Sequence, residues 1–316
     1  MKAAQITSYG APDVLRVNEV ARPEPGAGEV LVAVEASSVN GHDAIVRAGE
    51  LKLMSGRTFP IGTGLDFAGV VAGTGAGVED YRVGHRVWGT VHPRQRHTTA
   101  GAAEYVAVLA DRISPAPAGV TSVEAASLAV TGATALIALR DSVHAAKGER
   151  VLVRGAAGGV GTAAVQLAHA LGCHVTAVAR DRHAQVLTGL GADEVFDYGT
   201  TSSDQLGPFD VIVDTVGTEL NRYRGRLAKG GRMVTVGLSA SALAAIAAST
   251  VYGSRRIRTF SANPGTAVLR DVAAHVTSGA LRPVVDGVYP LAEITAAHEA
   301  FARGGAAGKQ VVTVAA

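Results

Sequence analysis

The residues that carry the most chemical information run Val151-Leu-Val-Arg-Gly-Ala-Ala-Gly-Gly-Val-Gly161 and continue into Thr-Ala-Ala-Val-Gln-Leu-Ala. An apolar strand, a glycine turn and a helix start, in that order, form an anion site. The first helical N–H groups have no intrahelical acceptor, and the helix dipole adds positive potential there. Glycine keeps β-carbons out of the path of an approaching pyrophosphate. In the six-residue fingerprint of such turns the marked positions are Ala156, Gly158 and Gly161, with alanine in the first place, and Ala157, Gly159 and Val160 complete the turn. With 39 glycines in 316 residues, three at any fixed spacing arise by chance about 0.6 times. The context gives the pattern its meaning: a strand before it, a helix after it, and a second strand at the distance a dinucleotide fold requires.

The end of that second strand discriminates between nucleotides. An acidic side chain there accepts from the ribose 2′-hydroxyl of NAD. Here the strand ends Val178-Ala179 and Arg180 follows. A guanidinium pairs bidentately with a 2′-phosphate, so the pattern favours NADPH. Asp181, one residue on, opposes that phosphate, and the plain alternative is that Arg180 and Arg182 are solvated residues at a helix start.

Other chemistry-bearing residues are scattered. The loop Trp88-Gly-Thr-Val-His92-Pro-Arg94-Gln-Arg96-His97 reads either as a basic, partly aromatic lip for an anionic thioester or as an ordinary solvated loop. His42 reads more simply as a hydrogen-bonding neighbour than as an acid, and Arg255, Arg256 and Arg258 as a solvated sheet edge. The single cysteine, Cys173, excludes an intramolecular disulfide and a cysteine-rich zinc site.

These residues need elements to hold them. A chain of this length is large for one core, so two domains are expected. Residues 1–118 read as short β-branched runs cut by Gly and Pro: Val30–Val34, Gly69–Ala72 and Arg86–Trp88. Ile113–Gly119 is a proline-rich boundary where helix and ladder are both disfavoured. Thr121–Leu139 is then an Ala/Leu-rich helix with Thr121 or Ser122 as N-cap and Glu124 in its first turn. Strands at Val151–Val153, His174–Ala179, Glu194–Phe196, Val211–Val213 and Met233–Val236 alternate with helices, among them Val160–Leu171 and Arg182–Leu190. Short apolar strands joined by helices describe a parallel sheet covered on both faces. The domains expected are therefore 1–118, 119–259 and a returning segment 260–316 that ends in a strand at Gln310–Val314.

Lys and Arg (29) nearly balance Asp and Glu (27), which argues against a nucleic-acid footprint. The uncharged stretch Met233–Ser254 is long enough to raise a membrane span. Its Ala, Ser and Thr content, with Gly237 and Ser239, reads better as a strand, a turn and a short helix. No targeting segment is visible at the start, so a soluble, cytoplasmic protein is expected, with no membrane or nucleic-acid partner.

In this setting the sequence resembles the medium-chain dehydrogenase/reductase superfamily, in its zinc-independent quinone oxidoreductase (zeta-crystallin-like) branch. Asn40-Gly-His-Asp43…Arg47-Ala-Gly49, Gly64-Leu-Asp-Phe-Ala-Gly-Val-Val71, Val83-Gly-His-Arg-Val-Trp88 and Gly101-Ala-Ala-Glu-Tyr105 precede the glycine turn. Phe196-Asp-Tyr198, Val213-Asp-Thr-Val-Gly217, Gly231-Arg-Met-Val-Thr-Val-Gly237, Tyr289-Pro-Leu and Gly308-Lys309 follow it, all in family order. The resemblance implies an α/β chain: a GroES-like, β-rich substrate domain, completed by the C-terminal segment, around a Rossmann domain with a doubly wound parallel sheet.

It also implies residue roles. Asn40 would lie near the nicotinamide face and Thr131 at the domain seam, the two candidates for catalysis. Val216, Val236 and Gly237 would line the nicotinamide pocket, and Tyr198 the adenosine-phosphate side. In the superfamily's zinc alcohol dehydrogenases a cysteine stands at the Asn40 position and a histidine at Leu65; neither residue here is a plausible ligand, so no metal is expected. Several relatives carry a tyrosine where this chain has Ile45, which removes a phenolic proton donor beside the substrate. Ile45, Trp88 and His92 are the candidates for lining the substrate pocket. The implied activity is NADPH-dependent hydride transfer to a quinone or activated alkene, small-molecule acceptors that need no Lewis acid. An enoyl-thioester reductase and a non-catalytic NADPH-binding protein are the alternatives. A homodimer joined through residues 240–260 is expected by the same resemblance.

Overall fold

A computed structural model describes residues 1–50, 52, 58–92, 99–237, 240–251, 255–305 and 307–314. The early strands are β1 (Lys2–Ile6), β2 (Leu15–Glu19), β3 (Glu29–Ser38), β4 (Ile61–Gly62), β5 (Asp66–Thr74), β6 (Arg86–Thr90), β7 (Tyr105–Leu109) and β8 (Ile113–Pro115). They are followed by β9 (Arg150–Arg154), β10 (His174–Ala179), β11 (Glu194–Asp197), β12 (Phe209–Asp214), β13 (Leu227–Thr235) and β14 (Ile257–Arg258). The last two are β15 (Val285–Pro290) and β16 (Lys309–Thr313). The helices used below are α1 (Gly41–Ala48), α2 (Ser122–Leu136), α3 (Gly159–Ala170), α4 (Ala184–Gly189), α5 (Leu220–Arg224) and α6 (Ala240–Val251).

The chain forms two compact units. The first holds Met1–Val130, Asn263–Thr277 and Pro283–Ala316; the second holds Thr131–Ala262 and Ser278–Arg282. The division falls inside α2, later than the composition change at residue 118, because a helix continues unbroken where the composition has already shifted. The N-terminus of α2 is closed as a capping box: Glu124 accepts from the Thr121 backbone N–H at 2.8 Å, and Thr121 Oγ1 accepts from the Glu124 N–H at 3.2 Å. Its far end widens into a π-helix over Ile137–Ser142.

In the first unit a seven-stranded sheet runs β15-β16-β3-β5-β6-β8, with β7 also pairing β3, and a three-stranded sheet runs β2-β1-β4. β16 pairs antiparallel with β3, from Val311 opposite Ser38 to Thr313 opposite Ala36, so the C-terminal segment returns to the N-terminal sheet. Val30, Val32, Phe67, Val71, Val87, Val106 and Val312 are among the side chains that fill its core. The expectation that Ile113–Gly119 avoids a ladder is corrected: Ile113–Pro115 pairs with β6, Pro115 opposite Val87. β8 is an edge strand, and the last residue of an edge strand can lack an N–H without leaving an acceptor unsatisfied.

The second unit is one six-stranded sheet in the order β11-β10-β9-β12-β13-β14, with every pairing parallel. Val151, Leu152 and Val153 are wholly buried, as residues covered on both faces must be. Counting from β9, the order is that of a doubly wound nucleotide fold. It reverses between β9 and β12, where the carboxyl ends of the strands leave a crevice. The helical span Ser122–Ser142 is long and apolar enough to cross a membrane, with mean hydropathy 1.6, but 72% of that window is buried inside the protein. The stretch after Met233 continues as strand to Thr235 and then as helix from Ala240.

Candidate functional site

The second unit brings one set of expected residues to the carboxyl edge of its sheet. Gly155 turns sharply out of β9 with φ +73°, and a β-carbon there would stand 2.3 Å from Thr215 Oγ1. Ala156 is completely buried, so its methyl group does not project into the open space before α3. Gly158 and Gly161 differ in what demands them. Gly161 faces inward, where a β-carbon would lie 2.2 Å from the Gly155 carbonyl oxygen. Gly158, the N-cap of α3, is exposed, and a β-carbon there would meet nothing closer than 3.6 Å. Packing therefore requires Gly161, whereas Gly158 keeps the space before the helix start open. Ala157 is nearly buried, and Gly159 and Val160 are half-exposed on the first turn of α3. This is a cradle that a side chain would fill, and it fits a pyrophosphate.

Arg180 follows β10, and its guanidinium lies 4.7 Å over the ring of Tyr198, just beyond β11. The ring is 53% exposed, so cation and aromatic face form one platform open to solvent. Asp197, the last residue of β11, is already hydrogen-bonded to the backbone. Its two carboxylate oxygens accept from the backbone N–H groups of Asp181 (2.8 Å) and Gly199 (2.6 Å). Those bonds, with Arg180 nearby, hold its carboxyl below the usual range.

At the ends of β12 and β13 two glycines meet back to back. A β-carbon on Gly217 would stand 2.5 Å from the Gly237 oxygen, and one on Gly237 would stand 2.5 Å from the Gly217 nitrogen. Val216 is 45% exposed beside them, and the Val236 N–H donates to the Asp214 oxygen at 2.9 Å. The candidate nucleotide residues thus share one edge of one unit.

The first unit holds a different arrangement around Asn40, the residue that precedes α1. Its backbone N–H donates to Asp43 Oδ2 at 3.0 Å. Its side-chain Nδ2 donates to the Ser38 oxygen at 3.1 Å and to Asp66 Oδ2 at 3.0 Å, and Oδ1 accepts from Lys309 Nζ at 2.7 Å. Ser38 adds its backbone N–H and its hydroxyl to Asp66, each at 2.8 Å. Asp66 and Lys309 are both buried. Burial pushes the Asp66 carboxyl up and the Lys309 amine down, each partly opposed by the other's charge.

Both Asn40 N–H groups are therefore in use inside the protein. In this structure Asn40 is the hub of a buried polar network. The same geometry argues against a metal at this position, since Asn40 Oδ1 faces an ammonium and Leu65 is a buried aliphatic. Ile45 is half-buried on α1, and Thr131 is buried as the first residue of the second unit. Trp88 is corrected: it is completely buried, so it lines no open pocket. His92 is half-buried, and the rest of its loop, 93–98, lies outside the described residues.

Three functional candidates had no role assigned from sequence: Asp66, Lys309 and Arg154. The available signal was a charged residue inside an otherwise apolar strand, at Leu65-Asp-Phe67, Lys309-Gln-Val-Val312 and Leu152-Val-Arg154.

Comparison with known proteins agrees with this geometry. Residues 26–118 match the alcohol dehydrogenase GroES-like domain, and residues 190–312 match a zinc-binding dehydrogenase domain. The chain is 31% identical to the human mitochondrial NAD(P)H oxidoreductase RTN4IP1, covering 99% of this chain and 89% of that one. It superposes on the quinone oxidoreductase from Coxiella burnetii with a TM-score of 0.91 at 30% identity, covering 100% and 99% of the two chains. It superposes on a mycobacterial protein complexed with NADPH with a TM-score of 0.85 at 27% identity, covering 99% and 100%. A GroES-like unit, a six-stranded Rossmann sheet and these relatives lead to one assignment: the chain belongs to the medium-chain dehydrogenase/reductase superfamily, in its quinone oxidoreductase/RTN4IP1-like branch, as an NAD(P)H-dependent oxidoreductase.

Proposed function

We propose that the protein is an NADPH-dependent, zinc-independent reductase of quinones or of alkenes conjugated to a carbonyl. The observation that carries the nucleotide preference is the Arg180–Tyr198 platform at the end of β10 and β11, beside the open start of α3. A guanidinium held over an aromatic ring can pair a 2′-phosphate and leave the ring face for the adenine side. No acidic side chain stands directly at the end of β10, where Arg180 takes the place of the carboxylate that would accept from the ribose of NADH.

The nicotinamide supplies a hydride when the nucleotide is bound. The chain binds and orients. The first N–H groups of α3 hold the pyrophosphate, Gly158 admits it, and Val216, Val236 and Gly237 form the wall toward the nicotinamide. Asn40, locked by Lys309 and Asp66, fixes the start of α1 and with it Ile45. Ile45 has no dissociable proton, so a reduced quinone or enolate takes its proton from water or from another side chain. That suits a quinone, whose oxygens need no stereospecific protonation.

We also infer a homodimer through α6. The described side chains of that helix carry no charge, and Leu243, Ala244, Ala247 and Ala248 are exposed. The helix is tied to the edge strand β14 by Ser249 Oγ, which accepts from the Ile257 N–H at 3.0 Å.

The test is fluorescence titration with NADPH and NADH, followed by nucleotide oxidation with benzoquinone, phenanthrenequinone or crotonyl-CoA. Tighter NADPH binding with rapid quinone turnover supports the proposal. Turnover of the thioester alone replaces the substrate class, and failure to bind either nucleotide removes the enzymatic reading.

A further inference from the structure

Arg154 is the last residue of β9, one position before the glycine turn, and it is 7% exposed. Its guanidinium reaches across to the loop that follows β12. Nη1 donates to Asp214 Oδ1 at 2.9 Å and to the Thr218 carbonyl oxygen, and Nη2 donates to Thr218 Oγ1 at 3.0 Å. Glu219 Oε2 lies 3.5 Å from Nη2, and the Tyr223 ring centroid lies 4.4 Å from the guanidinium carbon. Asp214 is completely buried, and its other oxygen accepts from the Gly217 N–H at 2.7 Å and the Thr235 hydroxyl at 2.8 Å. One carboxylate thus joins the ends of β9, β12 and β13.

Thr215 completes the joint from the other side. Its backbone N–H and its hydroxyl both donate to the Arg154 carbonyl oxygen, at 3.1 and 2.9 Å. The loop so held includes Glu219, a non-glycine residue at φ +50°, in a region such residues rarely occupy. A loop with that conformation keeps it only where its surroundings over-determine it. The arginine's fork and its stacked ring supply that determination, since a planar guanidinium can satisfy several acceptors at fixed angles where an ammonium cannot.

We propose that Arg154 is a positioning residue for the nucleotide. It welds the pyrophosphate turn to the Thr215–Glu219 loop, so that Val216 and Gly217 stand pre-formed as the wall of the site, without touching the nucleotide. This rests on the nucleotide-site reading above. It differs in consequence from Arg180, because a pre-formed wall serves NADPH and NADH alike. Pre-organisation lowers the ordering cost of binding for whichever dinucleotide enters.

The experiment compares the wild-type protein with Arg154→Lys and Arg154→Ala. Lysine keeps a cation beside the buried Asp214, which protects the fold, but loses the fork to Thr218 and the stacking on Tyr223. The affinities for NADPH and NADH are expected to fall together, about threefold in R154K and about tenfold in R154A, with their ratio unchanged. The nucleotide KM should rise while kcat at saturating nucleotide is retained. Amide exchange at Gly217, measured without nucleotide, should accelerate in R154K by more than the fall in global stability, read from the melting temperature, accounts for. Wild-type affinities and Gly217 protection in R154K overturn the proposal, and so does a loss confined to NADPH. If the wild-type protein binds neither nucleotide, the reading of the site fails on its own, while the exchange measurement still decides whether the latch exists.

Discussion

At the scale of single residues, the two ionic arrangements do different work. Arg180 is exposed, so its value lies in recognition: Arg180→Ala should weaken NADPH about tenfold or more and leave NADH within about twofold, read by equilibrium titration. Equal losses for both nucleotides would show that Arg180 reads something other than the 2′-phosphate. The Asn40 hub is buried, and its value lies in order. Lys309→Met leaves the Asp66 carboxylate without its compensating ammonium, and should cost about 3 kcal/mol near neutral pH. The sign of the pH dependence follows from Asp66, whose carboxyl burial already raises above its ordinary range. Between its unfolded and folded pKa the native state holds a proton that the unfolded state has released, so stability falls as pH rises through that window. Removing Lys309 raises the folded value further. The deficit of the variant should therefore grow as pH rises from the acid side toward neutrality, measured by urea unfolding. A deficit that does not change over that range would mean that Asp66 is not the group left uncompensated.

At the scale of elements, the turn between β9 and α3 separates packing from access. Gly161→Ala puts a β-carbon 2.2 Å from a backbone oxygen that has nowhere to move. It should destabilise the protein by about 1–3 kcal/mol, seen as a lower melting temperature. Gly158→Ala meets ordinary clearance and has an unstrained φ of −69°. Its melting temperature should stay at the wild-type value while nucleotide affinity falls, because the methyl group occupies the space before the helix start. A Gly158→Ala protein that binds nucleotide normally would place the pyrophosphate elsewhere. The cap of α2 and the edge position of Pro115 show the same logic without a ligand: an element ends where its unsatisfied groups can be met or omitted.

At the scale of the molecule, the first unit has two sheets and the second one, each unit has its own core, and the candidate nucleotide residues lie in the second. Saturating nucleotide at about 100 times its Kd should stabilise the protein by about 2.7 kcal/mol. Assembly is tested on α6, where Leu243 is 57% exposed. Leu243→Asp should convert a dimer to a monomer in sedimentation velocity, with nucleotide binding intact. A wild-type monomer would dispose of the α6 interface outright.

Local patterns in the sequence determine much of this. Strand His174–Ala179 was legible to the residue, and the glycine turn and the start of α3 nearly so. Both depend on side-chain period and backbone preference within a few residues. That the strands of the second unit form a parallel sheet covered on both faces followed from their apolar runs and their alternation with helices. What depended on contacts between distant residues was not legible. Asn40, Asp66 and Lys309 meet only because β16 returns to β3. Gly217 and Gly237 need each other because β12 and β13 end side by side. Trp88 looked like a pocket residue because an aromatic in a basic loop carries no local sign of burial, and its depth came from the sheet around it. Arg154 looked like an ordinary strand end until the fold carried Asp214 and Thr218 to it. Short-range preference chose the elements, and long-range pairing decided which charges they would bury together.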